Sequence, residues 1–201
     1  MSPGQSAAVE HRRSRWKFFR QWLRHPRSVA SVTPSSPELG AAMMSELPAG
    51  ARRVIELGGG TGALTQSIRR HGIDDGDLLV LELNQSLHRH LQERFPRAHV
   101  VRGDARQLHA LASHAGYLQE GPADAVVSGL GLLSMDRVMQ HDILAAAFDC
   151  MAGHGRFIQF TYGPRAPVSE RLAERLGLKV RRGEFVLRNV PPATVYVYQR
   201  R

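Results

Sequence analysis

The chain has 201 residues, 42% hydrophobic and 22% charged, with 27 Lys and Arg against 18 Asp and Glu. That length closes one full core and is short for two, so a single domain with an arm is expected. The lone cysteine, Cys150, excludes an intramolecular disulfide and fits a reducing compartment. The small, polar start Met1–Glu10 argues against a signal segment, and no apolar run approaches the roughly 20 residues of a membrane span. A soluble or membrane-associated protein is expected.

The charge is uneven. Arg12, Arg13, Arg15, Lys17, Arg20, Arg24 and Arg27 stand against Glu10, so +6 of the formal +9 falls in the first 27 residues. Wound as a helix, Trp16, Phe18, Phe19, Trp22 and Leu23 occupy an arc of roughly 160°, and Arg13, Lys17, Arg20 and Arg24 cluster within about 60° elsewhere. Arg12 and Arg15 fall on the apolar arc, from which long side chains can snorkel. Aromatic rings beside a cationic stripe suit an anionic membrane surface. Docking of the aromatic face on the domain and a grip on nucleic-acid phosphates are the competing uses. The Ser- and Pro-rich stretch 26–37 reads as a linker, which divides the chain into an arm, 1–37, and a body, 38–201.

Within the body, strands and helices alternate. Arg53–Leu57 reads as the first strand and Ala63–His71 as its helix, stopped by Gly72. Leu78–Leu83 is the second strand, followed by a helix over Gln85–Arg94 that ends at Phe95-Pro96. His99–Arg102 is a short third strand before Gly103-Asp104-Ala105 and a helix over Gln107–Ala115. Ala123–Ser128 is the fourth strand, Arg137–Met151 a helix and Arg156–Thr161 the fifth strand. A helix over Val168–Leu176 precedes two β-rich runs, Lys179–Leu187 and Thr194–Gln199. Parallel crossovers closed by a terminal strand pair predict an α/β, Rossmann-like, seven-stranded and mostly parallel sheet, with the amphipathic helix before it.

The first crossover carries the chemistry. Val54-Ile-Glu-Leu-Gly-Gly-Gly-Thr-Gly-Ala-Leu64 is an apolar run that breaks into glycines and restarts as a helix, which is how such a sheet receives a nucleotide. Glu82, at the end of the next apolar run, can accept both ribose hydroxyls. Gly62 is followed by Ala63-Leu64 rather than Lys-Ser/Thr, against a Walker loop. A dinucleotide fingerprint can be laid on Gly58, Gly60 and Ala63, but Glu56 would repel a pyrophosphate and would hold the cationic amino-acid end of S-adenosylmethionine. Ligands lie beyond the carboxyl ends of parallel strands, so Asp104 and Ser128–Gly131 join the site. Asp104 would accept from the adenine amine or cap the helix after it.

These segments resemble the bacterial phospholipid N-methyltransferases, the phosphatidylethanolamine-methylating class with its ornithine-lipid-methylating relatives. The likeness runs through Phe19–Arg24, Pro34-Ser35-Ser36, Val54–Gly62, Glu82-Leu83-Asn84, Gly103-Asp104-Ala105, Val127–Leu130, Gln159–Pro164 and Arg188–Ala193. The chain has Gly59 and Gly131 where that family usually has proline. The resemblance implies a class I S-adenosylmethionine-dependent fold. Cofactor contacts would come from Glu56, Gly58, Gly60, Glu82, Leu83, Asp104, Ala105 and Ser128, and S-adenosylhomocysteine would be released. It implies N-methylation of the phosphatidylethanolamine headgroup towards monomethyl, dimethyl and phosphatidylcholine forms, with ornithine lipid as the alternative acceptor. The enzyme would sit on the inner face of the cytoplasmic membrane, held by Trp16, Phe18, Phe19, Arg20, Trp22, Leu23 and Arg24.

Methyl transfer to an amine needs donor and nitrogen in line and the amine unprotonated, with no obligatory metal or covalent nucleophile. Tyr162 and Ser128 are the candidate catalytic residues. Tyr162, Tyr196 and Tyr198 are candidate acceptor contacts because aromatic faces attract a methylated ammonium. Arg188 could pair with lipid phosphate. The ten histidines and single cysteine show no ligand spacing, so no metal is expected. An RNA adenine-N6 methyltransferase is the main rival. Such enzymes carry an Asn, Pro and aromatic motif after the fourth strand, where this chain has Ser128-Gly129-Leu130-Gly131.

Overall fold

The structure, a computed structural model, describes residues 36–162, 165–189 and 191–201. The expected amphipathic helix and its side chains Trp16 to Arg24 lie outside these residues.

The described chain opens with α1 (Pro37–Met44), in a segment for which the sequence pattern predicts no element. Ser36 Oγ accepts from Leu39 N at 3.2 Å and Pro37 fills the first helical position, a strong start signal. Then follow β1 (Val54–Leu57), α2 (Ala63–Arg70), β2 (Leu78–Glu82), α3 (Gln85–Arg94), β3 (His99–Arg102), α4 (Leu108–His114), β4 (Ala123–Ser128), α5 (Arg137–Asp149), β5 (Met151–Thr161), α6 (Glu170–Arg175), β6 (Leu178–Val186) and β7 (Ala193–Arg200). Three of the expected elements, Gln85–Arg94, His99–Arg102 and Ala123–Ser128, fall on their expected bounds. The fifth strand starts earlier, at Met151, with a register break between Ala123 and Ala125 on its partner. The helix expected at Gln107 is split into a 3-10 turn, Ala105–Gln107, and α4.

The seven strands form one sheet in the order β3-β2-β1-β4-β5-β7-β6. β1 to β5 pair in parallel, whereas β7 is antiparallel to both β5 and β6. The carboxyl ends of β1 to β6 therefore reach one edge, and β7 alone starts there. Alternation along each strand feeds two cores. Val54, Val80, Val127, Ile158 and Val195 pack with Leu39 of α1, Ile68 of α2 and Leu91 of α3. Ile55, Leu81, Val126, Phe157 and Tyr198 pack with Leu108 of α4, Leu144 of α5 and Leu172 of α6.

Candidate active site

At the carboxyl end of β1 the chain turns through glycines at positive φ: Gly58 (76°), Gly60 (53°) and Gly62 (82°). A Cβ on Gly58 would lie 2.9 Å from Leu130 Cδ2, and one on Gly62 would lie 2.6 Å from the Phe95 ring, so side chains are excluded by both conformation and space. Gly59 is not in the left-handed region. A Cβ there would meet Val80 Cγ1 at 2.5 Å and Leu91 Cδ1 at 2.8 Å, so in this chain Val80 and Leu91 fill the space a larger residue would need. Gly129, leaving β4, would bring a Cβ to 3.1 Å from Gly58 O, which shows how closely the β4 exit presses on the glycine loop.

Glu82 ends β2, 8% exposed, and its carboxylate is pinned on both sides. Oε2 accepts from Gly60 N at 2.9 Å and Oε1 from Asn84 N at 2.8 Å. An ionised carboxylate has further lone-pair capacity on each oxygen, so two ribose hydroxyls can still be received. Glu56, on β1, is fully buried. Thr65 Oγ1 of α2 donates to its Oε2 at 2.6 Å, and its Oε1 has no partner. Burial pushes its pKa up to about 8, against the Thr65 hydrogen bonds. A buried carboxyl with one oxygen unmatched is a ready seat for a cationic group, and this donor set fits S-adenosylmethionine.

Asp104 N-caps the 3-10 turn. It accepts from Arg106 N at 2.9 Å and pairs with the Arg106 guanidinium at 2.6 Å, which holds its carboxyl below the usual range. The capping alternative is thus what its geometry displays. Ala105 starts that turn and Leu83 is exposed on the rim beside Glu82. Ser128 is buried at the β4 exit, its Oγ accepting from Leu130 N at 3.3 Å.

Just beyond β5, Tyr162, expected as an acceptor contact, stands edge-to-face with Phe160, centroids 5.2 Å apart. Burial raises its pKa, and a hydrogen bond with Asn189 opposes that. Asn189 is itself buried: Oδ1 accepts from Ser36 N at 3.1 Å and Nδ2 donates to Pro191 O at 2.7 Å. Ser36, Tyr162 and Pro191, far apart in the chain or across a turn, so meet on the Asn189 amide, for which the sequence pattern predicts no role. Arg188 is exposed. Tyr196 is 5% exposed and forms part of a cavity wall. Tyr198 is not brought to the site: it is fully enclosed, its hydroxyl accepting from Val168 N at 3.3 Å. It pairs with Phe157, two residues deeper in β5 than the partner of Tyr196.

No protein-family model matches the chain. Over 185 residues it is 37% identical to the ornithine lipid N-methyltransferase of Singulisphaera acidiphila, spanning 89% of this chain and 92% of that one. The chain belongs to the ornithine lipid N-methyltransferase family. A second relative, a ribosomal RNA small subunit methyltransferase A of Synechococcus, is 33% identical over 99 residues, 47% of this chain and 32% of that one. Among solved structures, a TehB-like S-adenosylmethionine-dependent methyltransferase of Corynebacterium glutamicum superposes with TM-score 0.60 at 18% identity, over 94% of this chain and 98% of that one. The glycopeptide N-methyltransferase MtfA in complex with S-adenosylmethionine superposes with TM-score 0.62 at 13% identity, over 83% and 87%. The fold is that of the class I S-adenosylmethionine-dependent methyltransferases, and S-adenosylmethionine is the cofactor that fold and family assign. In this member of the ornithine lipid N-methyltransferase family, the glycine loop and the two strand-end carboxylates lie together at the carboxyl ends of β1 and β2.

Proposed function

We propose that the chain transfers a methyl group from S-adenosylmethionine to the amine of an ornithine lipid at a membrane surface. The observation that carries a lipid acceptor is the distribution of exposed apolar groups. Five large apolar side chains among the described residues are exposed: Leu83, Leu133, Val138, Phe185 and Leu187. Leu83 follows β2, Leu133 follows β4, Val138 lies in the first turn of α5, and Phe185 and Leu187 lie at the end of β6. All five therefore lie toward the carboxyl edge of the sheet, Leu83 and Leu133 after the two strands that flank β1, and Phe185 and Leu187 at the outer strand β6. Exposed apolar side chains gathered at the edge where the strands end suit an interface rather than free solution.

Gly58, Gly60 and Glu82 would hold the adenosyl ribose and Glu56 the cationic amino-acid end, and Leu83 and Ala105 would flank the adenine beside Asp104, whose carboxylate caps its turn and pairs with Arg106. S-adenosylmethionine, when bound, supplies a sulfonium methyl open to direct displacement. The acceptor nitrogen forms its new bond to carbon as the carbon–sulfur bond breaks, and the ammonium proton leaves beforehand to water. Ser128 and Tyr162 shape the meeting point, where orientation and exclusion of water lower the barrier. Tyr196 and Arg188 face the acceptor. The arm that precedes α1, with its aromatic and arginine side chains, tethers the domain to the anionic inner face of the cytoplasmic membrane.

Phosphatidylethanolamine offers the same amine on a different headgroup. Vesicles carrying ornithine lipid and phosphatidylethanolamine in equal amounts, incubated with methyl-labelled cofactor, separate the two: label is expected chiefly in ornithine lipid. Label chiefly in phosphatidylethanolamine reverses the acceptor. RNA is disfavoured, because the ribosomal RNA relative matches less than half of the chain and the β4 exit lacks a ring on which a base would stack.

A further inference from the structure

One polar row crosses four strands. Ser128 on β4 is in register with Gln159 on β5, Gln159 with Tyr196 on β7, and Tyr196 with Arg182 on β6. Partners across a sheet share a face, here the one covered by α5 and α6, so the row runs from the exit beside the glycine loop out to the sheet's edge. Gln159 is 1% exposed and the orientation of its amide is fixed. Nε2 donates to Leu130 O at 2.9 Å and to Phe160 O at 2.7 Å, which leaves Oε1 as a pure acceptor, and it has no partner. In the next row, the paired Thr161 and Thr194 also have unpartnered hydroxyls. Buried polar atoms are almost always matched, by protein or by water; three unmatched on adjacent strands mark an enclosed polar patch with hydrogen-bonding capacity to spare.

The far end of the row opens into a cavity of about 720 Å³ walled by Tyr196, with Arg137, Arg165 and Arg182 in its lining. None of the three guanidinium groups has an ion pair among the described residues. Of the two carboxylates in the lining, Glu170 and Asp136, the latter is spent on capping α5 through Met139 N at 2.8 Å.

We propose that this row seats the acceptor headgroup, with Gln159 Oε1 receiving an N–H of the amine beside Ser128 and Arg165 and Arg182 binding the headgroup's anionic group. The assignment rests on the amino-lipid reading above and gives it a site. Strands spaced about 4.8 Å apart put the Gln159 and Arg182 backbones about 10 Å from one another, and the arginine side chain reaches back over part of that span. Amine and anion a few bonds apart are common to ornithine, with its carboxylate, and to phosphoethanolamine, with its phosphate. Guanidinium forks match either anion.

Calorimetric titration of soluble probes into the full chain saturated with S-adenosylhomocysteine tests the site without turnover. The probes are N-butyryl-ornithine, its methyl ester, N-butyryl-norvaline, which lacks the amine, and glycerophosphoethanolamine. The wild type is expected to bind the ornithine acid about tenfold tighter than the ester. Arg165→Gln with Arg182→Gln should erase that difference while leaving the ester and S-adenosylhomocysteine affinities unchanged. Gln159→Met should weaken the ornithine probe and spare the norvaline probe. Equal wild-type affinity for acid and ester, or variants that weaken both members of each pair alike, would overturn the proposal. The tighter of the ornithine and phosphoethanolamine probes identifies the anion. If these differences hold but no vesicle lipid is methylated, the reaction assigned above falls and the site stands.

Discussion

Glu56 carries its proton because it is fully enclosed and, among the described residues, only Thr65 donates to it. Its pKa of about 8 lies above the ordinary 4.5, so between those values the folded chain holds a proton that the unfolded chain has lost. Stability must therefore fall as pH rises across that window and level off above it. Glu56→Gln should flatten this dependence and raise the melting temperature at pH 8 relative to the wild type, measured by thermal denaturation across pH 5 to 8. The same substitution should weaken S-adenosylmethionine. If the cofactor's cationic end displaces the proton, wild-type binding near neutral pH releases it, which calorimetry in buffers of different ionisation enthalpy will register and Glu56→Gln will not. Glu82 is a different case, a carboxylate held in place by two backbone N–H groups. Glu82→Ala removes charge-assisted hydrogen bonds worth about 1.5–3 kcal/mol each, so cofactor affinity should drop at least about tenfold by the same titration. A loss no larger than twofold would remove Glu82 from the ribose site.

At the scale of elements, Asn189 fastens the start of α1 to the loop before β7 and to Tyr162. Asn189→Leu strands buried polar partners at about 1–3 kcal/mol, and the urea midpoint should fall accordingly with little change in slope. Strands β2 and β4 were legible because parallel strands buried on both faces read as apolar runs, β3, the half-buried outer strand, by its Val-Val pair between polar ends, and the glycine loop because its glycines and Glu56 are contiguous. Helix α1 was not, since Ser36 and Pro37, which start it, also read as linker residues. The acceptor row was hidden for another reason. Ser128, Gln159, Tyr196 and Arg182 become neighbours only through cross-strand register, which no local pattern encodes. Tyr196 and Tyr198 share a face, as alternation says, but alternation does not say how far along the strand each lies from the edge.

Across the whole molecule, the carboxyl edge gathers the cofactor loop, the polar row and every exposed large apolar side chain among the described residues. No helix among those residues is long and apolar enough to cross a membrane. Phe185→Glu with Leu187→Glu should lower sedimentation with anionic vesicles while leaving S-adenosylmethionine affinity intact; unchanged sedimentation would leave attachment to other surfaces. The most direct test of the account is transfer itself: the full chain, methyl-labelled S-adenosylmethionine and vesicles containing ornithine lipid, with the lipids resolved afterwards. Label is expected in ornithine lipid for the wild type and should be lost in Glu82→Ala. Cofactor bound at full occupancy, vesicles attached and no label in any amino lipid would contradict it.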